Sequence, residues 1–294
     1  MADVKTLTGT IQMRQGAASE WANKNPVLAS AEFGYDATNG VVKMGNGSTA
    51  WASLARLLDE NDLSVINFKL DQLLAANALL RLADCSPAVI EALSRSGNAD
   101  KAFAVGDEVD VTLTTGEIIT LVILGFNHDN LTGGGKAGIT FGMKGLLQTT
   151  YRMNATNTNV GGWTSSEMRT QTMQTLLSHM PTEWRNIIKP VDKLTSAGNQ
   201  STTINTTSDK LFLLSNVEVD GTTSTTYKDE GVQYEYYKTS ANRIKRYASG
   251  SSGFWWLRSP NTTSATIFRF VNDVGSVHSY YASNTSGVAF GFCV

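Results

Sequence analysis

At 294 residues, 41% of them hydrophobic and 17% charged, the chain has ordinary globular composition and enough length for more than one packed domain. A net charge of −2 and a pI near 5.9 supply no basic field for a phosphate backbone, which removes nucleic acid from the expected partners. The start MADVKTLTGT lacks the apolar core of a secretory signal and no run of about 18 apolar residues exists, so membrane insertion is not expected either.

Residues 1–55 combine Gly, Thr and Ala with turn signals at ATNG and MGNGST between short apolar stretches such as FGY and VVKM, which predicts a small β-rich module. Within it stand Arg14, Gly16, Trp21, the NPVL turn, Glu32, Gly34 and GNGSTAW ending at Trp51. Residues 12–54, which carry these positions, resemble the N-terminal module of phage major tropism determinants and of many tail-fibre proteins. The resemblance implies an attachment module that joins other tail or baseplate proteins.

From 56 to 98 the pattern turns helical. Leu63, Ile66, Leu70, Leu73, Asn77 and Leu80 alternate spacings of three and four, an a/d seam with one polar position that can hold several chains together or pack one helix on its own domain. The tail-fibre resemblance implies a homotrimer. Pro87 and SRSGNAD are expected to break the helix and mark a boundary.

Residues 99–294 read as one larger unit. VGDEVDVTL, EIITLVILGFN and KAGITFGM have strand patterns, 166–188 has helical spacing, SDKLFLLS reads as a buried strand, and 219–250 is polar. Sequential strands with helices placed early predict an α+β class. VILGFNHDNL, GITFGMK, GGWTSSEMRTQTM and above all WWLRSP followed by VNDVGSV resemble a bacterial and phage domain with the C-type lectin fold.

Catalytic and metal-binding patterns are sparse. His128, His179 and His278 are never at ligand spacing, and Cys85 and Cys293 are read as two buried thiols. GGGK at 133–136 lacks the first Gly and the Ser or Thr of a phosphate loop. Glu218, Asp220, Asp229, Glu230 and Glu235 are read as a solvated acidic surface. Calcium-dependent lectins carry EPN, QPD and WND tripeptides, and formylglycine-generating enzymes of the same fold use paired cysteines. None of these features occurs here, so neither a cofactor nor enzymatic activity is expected.

The stretch 261–286 contains no Lys, Glu, Gln, Met or Trp. Every residue type present has a codon ending in C or T, the product expected when AAC-type codons are randomised at their adenines. This signature resembles the variable region of a diversity-generating retroelement. Trp255, Trp256, Leu257, Arg258 and Pro260 are then scaffold, as are GVAFGFCV at 287–294 and the framework positions Val271, Gly275, Val277 and Ala282. Thr262, Ser264, Thr266, Ile267, Phe270, Asn272, Asp273, Ser276, His278, Ser279, Tyr280, Tyr281, Ser283, Asn284 and Thr285 are expected to form one exposed ligand-binding patch, of paratope-like composition. The expectation is a non-enzymatic receptor-binding protein of a phage tail fibre, made in the bacterial cytoplasm and carried on the virion. Its expected partner is a host cell-surface protein or glycan. The alternatives are a tail-associated polysaccharide-degrading enzyme and a purely structural fibre subunit.

Overall fold

The computed structural model describes residues 13–58, 80–221 and 227–294. The chain divides into two compact units, residues 1–76 and 77–294.

In the first unit, β1 (Arg14–Gly16) leads into α1 (Ala18–Lys24), and β2 (Phe33–Asp36), β3 (Val41–Met44) and β4 (Arg56–Leu58) complete a four-stranded sheet in sequence order. β1 runs parallel to β2, and the other pairs are antiparallel. Among the described residues of this unit the buried cluster is aromatic. Trp21 from α1 stacks on Trp51 at 3.9 Å between ring centroids, and Leu28 and Leu54 close the cluster. Gly34 is dictated by that stack: a Cβ there would lie 2.6 Å from the Trp51 ring and 3.0 Å from Trp21. Arg14 lies over the Trp21 ring and 3.7 Å from Glu32, so the positions that carry the tail-fibre resemblance are those that build this nucleus.

The seam positions Leu63, Ile66, Leu70, Leu73 and Asn77 lie outside the described residues. Leu80 is half-buried against the core of the second unit. The boundary expected at Pro87–Asp100 is corrected. Pro87 opens a helix, α2 (Pro87–Arg95), whose N-cap is Ser86; proline suits that first position because its missing N–H would have no helical partner. Leu82 and Ile90 are buried in the second unit, and the Ser94 hydroxyl donates to the Val294 carbonyl at 2.5 Å, so residues from 80 onward belong to that unit.

The rest of the second unit confirms the α+β class. α3 (Ala99–Ala102) precedes the antiparallel strands β5 (Glu108–Thr112), β6 (Ile118–Phe126) and β7 (Ile139–Met143). The helical stretch resolves into α4 (Gly162–Ser165), a π-turn at Met168–Thr172, α5 (Met173–His179) and α6 (Thr182–Ile187), with α6 packed on α2. A hairpin of β8 (Val191–Ser196) and β9 (Ile204–Asp209) follows, then α7 (Asn216–Asp220). β10 (Lys245–Arg246) pairs with β11 (Ser252–Gly253), and β12 (Trp255–Pro260), β13 (Ile267–Val271) and β14 (Val277–Tyr281) form a three-stranded sheet with β14 at its edge. β15 (Gly291–Cys293) returns to pair with β7, giving the order β15-β7-β6-β5.

Two expectations fail here. Leu211, Phe212, Leu213 and Leu214 are buried as predicted for SDKLFLLS, but β9 ends at Asp209 and only Phe212 bridges, to Gly291. Cys293 is fully buried, whereas Cys85 is only partly so; in both, burial pushes the thiol pKa up.

Candidate ligand-binding surface

The β13–β14 hairpin carries most of the expected site. Its register pairs Ile267 with Tyr281, Phe268 with Tyr280, Arg269 with Ser279, Phe270 with His278 and Val271 with Val277. Strand side chains alternate, so the expected single patch is corrected to two faces of one edge hairpin. On one face His278 and Tyr280 stand exposed beside Phe270, at centroid distances of 6.1 and 5.6 Å, with Trp256 beneath. On the other face lie Ile267, Ser279 and Tyr281, the last 52% exposed.

Phe270 is a second correction. At 7% exposure it belongs to the core, because Phe268 and Phe270 share the inward side of β13 while Arg269 between them turns away. Asn272 and Ser279 are half-buried and serve the hairpin itself. Asn272 Oδ1 accepts from the Val274 and Ser276 amides in the turn, where Gly275 takes φ +84°, and the Ser279 hydroxyl accepts from Arg269 and from Asn261. Asp273 and Ser276 are exposed at this turn, beside a cavity of about 610 Å³ lined by Asp220, Arg243, Ile244 and Val274.

At the opposite end two loops meet, since the Ala282 amide donates to the Thr266 carbonyl. Thr262, Ser264 and Thr266 are half-buried in the first loop. In the second, Ser283 and Asn284 are half-buried and Thr285 is exposed. Ser283 donates to Asn157 from both its amide and its hydroxyl.

Beneath this sheet lies a buried ionic network. Arg258 is fully buried and grips both oxygens of Glu218, with Nη2 to Oε1 at 2.9 Å. It also donates to the carbonyls of Leu213 and Glu230. Lys193, also buried, lies 2.7 Å from Glu218 and 2.6 Å from Asp129. Burial opposes ionisation of both carboxyls, but Arg258 and Lys193 beside Glu218, and Lys193 beside Asp129, hold them below the ordinary carboxylate range. Among the described residues Ser259 and the Ser196 amide donate to the carboxyl oxygens of Glu230, and desolvation pushes this carboxyl up to about 7. The solvated acidic surface expected at 218–235 is therefore corrected at Glu218 and Glu230. Among the described residues no group of His, Cys, Asp and Glu is arranged to hold a metal ion.

Residues 137–294, which supply β7, the network and the whole hairpin, match the family described as a domain of unknown function, DUF6273. The chain belongs to that family. Residues 11–49 match the major tropism determinant N-terminal domain, so the first unit, with its stacked Trp21 and its Gly34, is a phage tropism-determinant-like module. No curated protein and no solved structure matches the chain.

Sequence reasoning missed several residues of the surface. Phe254, 43% exposed with its ring 5.2 Å from Phe270, extends the aromatic face, and Val274 projects from the turn at 67% exposure. Phe254 lies outside the compositionally biased stretch 261–286, so only the sheet geometry reveals it.

Proposed function

We propose that the chain is a non-enzymatic receptor-binding protein of a phage or prophage tail fibre, carried on the virion, with the β14 edge and its flanking loops as the ligand-binding surface. The observation that carries this reading is the tropism-determinant module joined in one chain to a unit that presents Tyr280, His278 and Phe254 on one exposed aromatic face, with Tyr281 on the other side of the same edge strand. Monomeric surfaces rarely leave several large rings exposed together without use. In this reading the second unit is C-type-lectin-like and its hairpin and loops are diversified by a retroelement. An antiparallel sheet closed by a returning strand beside two helices supports the former, and the composition of 261–286 supports the latter. A near-copy of the gene's 3′ end differing only at adenines, beside a reverse transcriptase gene, tests the diversification directly.

Nothing in this reading calls for catalysis. Glu218 and Glu230 are sealed in the core and engaged by Arg258, Ser259 and backbone. The receptor is a host cell-surface protein or glycan, and the first unit attaches to other tail proteins.

Binding of the full chain to a panel of whole bacterial cells is expected to fall about thirtyfold or more on replacing Tyr280 or Tyr281 by Ala, as for aromatic interface anchors. The melting temperature should barely move, because both rings are exposed. Unchanged cell binding by both variants would remove the hairpin from the site. Protease or periodate treatment of the cells separates a protein receptor from a glycan. The a/d seam supports a homotrimer held through residues 54–85, and light scattering at micromolar concentration should return three times the 31.7 kDa chain mass. A monomer would sink that assignment.

A further inference from the structure

The geometry points to Asn159 as the positioning residue of this surface, a clamp that holds the loop 261–267 by main-chain atoms alone and so leaves its side chains free to vary. Asn159 is fully buried and lies outside the compositionally biased stretch 261–286. Its amide Nδ2 donates to the carbonyls of Ser264 at 2.7 Å, Ile267 at 2.8 Å and Asn261 at 3.3 Å, and its own backbone N–H donates to the Ala265 carbonyl at 2.7 Å. Four of the seven carbonyls between 261 and 267 therefore converge on one residue.

The orientation of that amide is fixed from the far side, because Oδ1 accepts the Asn199 amide at 2.8 Å and so turns Nδ2 toward the loop. Two glycines make room for the clamp. A Cβ at Gly198, where φ is +70°, would lie 1.8 Å from the Asn159 carbonyl oxygen, and one at Gly162, where φ is +56°, would lie 2.1 Å from the Ser196 carbonyl oxygen. Both conformations are ones that L side chains rarely adopt.

Every residue type offers the same backbone carbonyl. A loop held through carbonyls keeps its path whatever side chains stand at Thr262, Ser264, Thr266 and Ile267. The Ser264 and Thr266 side chains bond each other at 2.9 Å within the loop, while the loop's side-chain bonds to other elements, Asn261 to Ser279 at 2.9 Å and Thr262 to Tyr227, lie outside the clamp. The meaning of this device as a display platform rests on the proposed ligand-binding reading, but its operation does not.

Hydrogen exchange on the full chain tests it without any ligand. In Asn159→Ala, peptides covering 261–267 and 199 should exchange about tenfold or more faster while β6 keeps its protection, as expected when several buried hydrogen bonds of one local unit are lost. In Asn159→Asp a carboxylate would face three carbonyl oxygens at neutral pH. Its loop should be the least protected and should recover, relative to wild type at each pH, as the pH falls and the protonated carboxyl regains a donor. The triple variant Thr262→Ala, Ser264→Ala, Thr266→Ala should stay within about threefold of wild type, since no clamp bond uses those side chains.

A triple variant as unprotected as Asn159→Ala, or an Asn159→Asp profile that ignores pH, would overturn the clamp; either reading remains available even if Asn159→Ala fails to fold. Unchanged exchange at 261–267 in a folded Asn159→Ala would overturn it as well, whereas the expected faster exchange with unchanged whole-cell binding would count against the ligand-binding reading and leave the clamp standing.

Discussion

Replacing Trp256 by Ala is expected to destabilise the second unit by about 3–5 kcal/mol, the range for removing a large buried aromatic. Trp256 is fully buried in β12, its indole N–H donates to the Tyr151 carbonyl at 2.8 Å, and its ring supports both Phe270 and Tyr280. Truncation leaves a cavity under the hairpin and removes one of the two hydrogen bonds on the Tyr151 carbonyl, which keeps the Ser286 amide. For a unit of this size the melting temperature should fall by roughly 6–20 °C. Tyr280→Ala is the internal control: it removes a ring from the outer side of the same stack and should cost little stability. A Trp256→Ala protein that melts normally but no longer binds cells would place Trp256 in the binding site and overturn the division between scaffold and surface.

That division was legible in the sequence only where local pattern decides burial. Trp21, Gly34 and Trp51 sit close in the chain and meet in the fold, so a motif of fixed spacing could be carried directly into a nucleus. Within IFRFV, Arg269 between two phenylalanines also sets Phe270 on the side opposite a charge. The codon-type signature, however, concerns how the residues are encoded and is silent about which side of a strand each one faces, and it placed Phe270 outward with its neighbours. Likewise it could not distribute Tyr280 and Tyr281 to opposite faces, which follows only from strand pairing with β13.

The polar stretch failed for a different reason. Whether a glutamate is buried depends on what reaches it in space, and Glu218 and Glu230 are 40 and 28 residues from Arg258. Lys193 and Asp129, which complete the network, are 64 residues apart. No window of sequence contains such an arrangement. Asn159 was invisible for the same reason, since its partners in the loop lie more than 100 residues away and Asn199 lies 40 away.

The network makes the second large prediction. Arg258→Met should cost about 3–5 kcal/mol, because the loss of one partner leaves a buried carboxylate incompletely paired. Its pH dependence distinguishes an electrostatic cause from simple loss of packing. In the wild type, Glu218 has a lowered carboxyl pKa, so its contribution is present above the unfolded value near 4.3 and is lost only as pH falls through the folded value. Without Arg258 burial dominates and Glu218 should move upward; Glu230, already at about 7, should move further in the same direction because Arg258 restrains it too. A carboxyl raised in the folded state contributes stability below its unfolded pKa and loses it as pH rises through the folded one. The deficit of the variant relative to wild type should therefore be largest near pH 8 and shrink toward pH 5 in denaturant titrations. Adding Glu218→Gln should recover part of the loss at pH 8, since the charge left without Arg258 is then gone. A deficit that is constant across this range, or one that the second substitution deepens, would assign the role of Arg258 to packing and refute the ionic account.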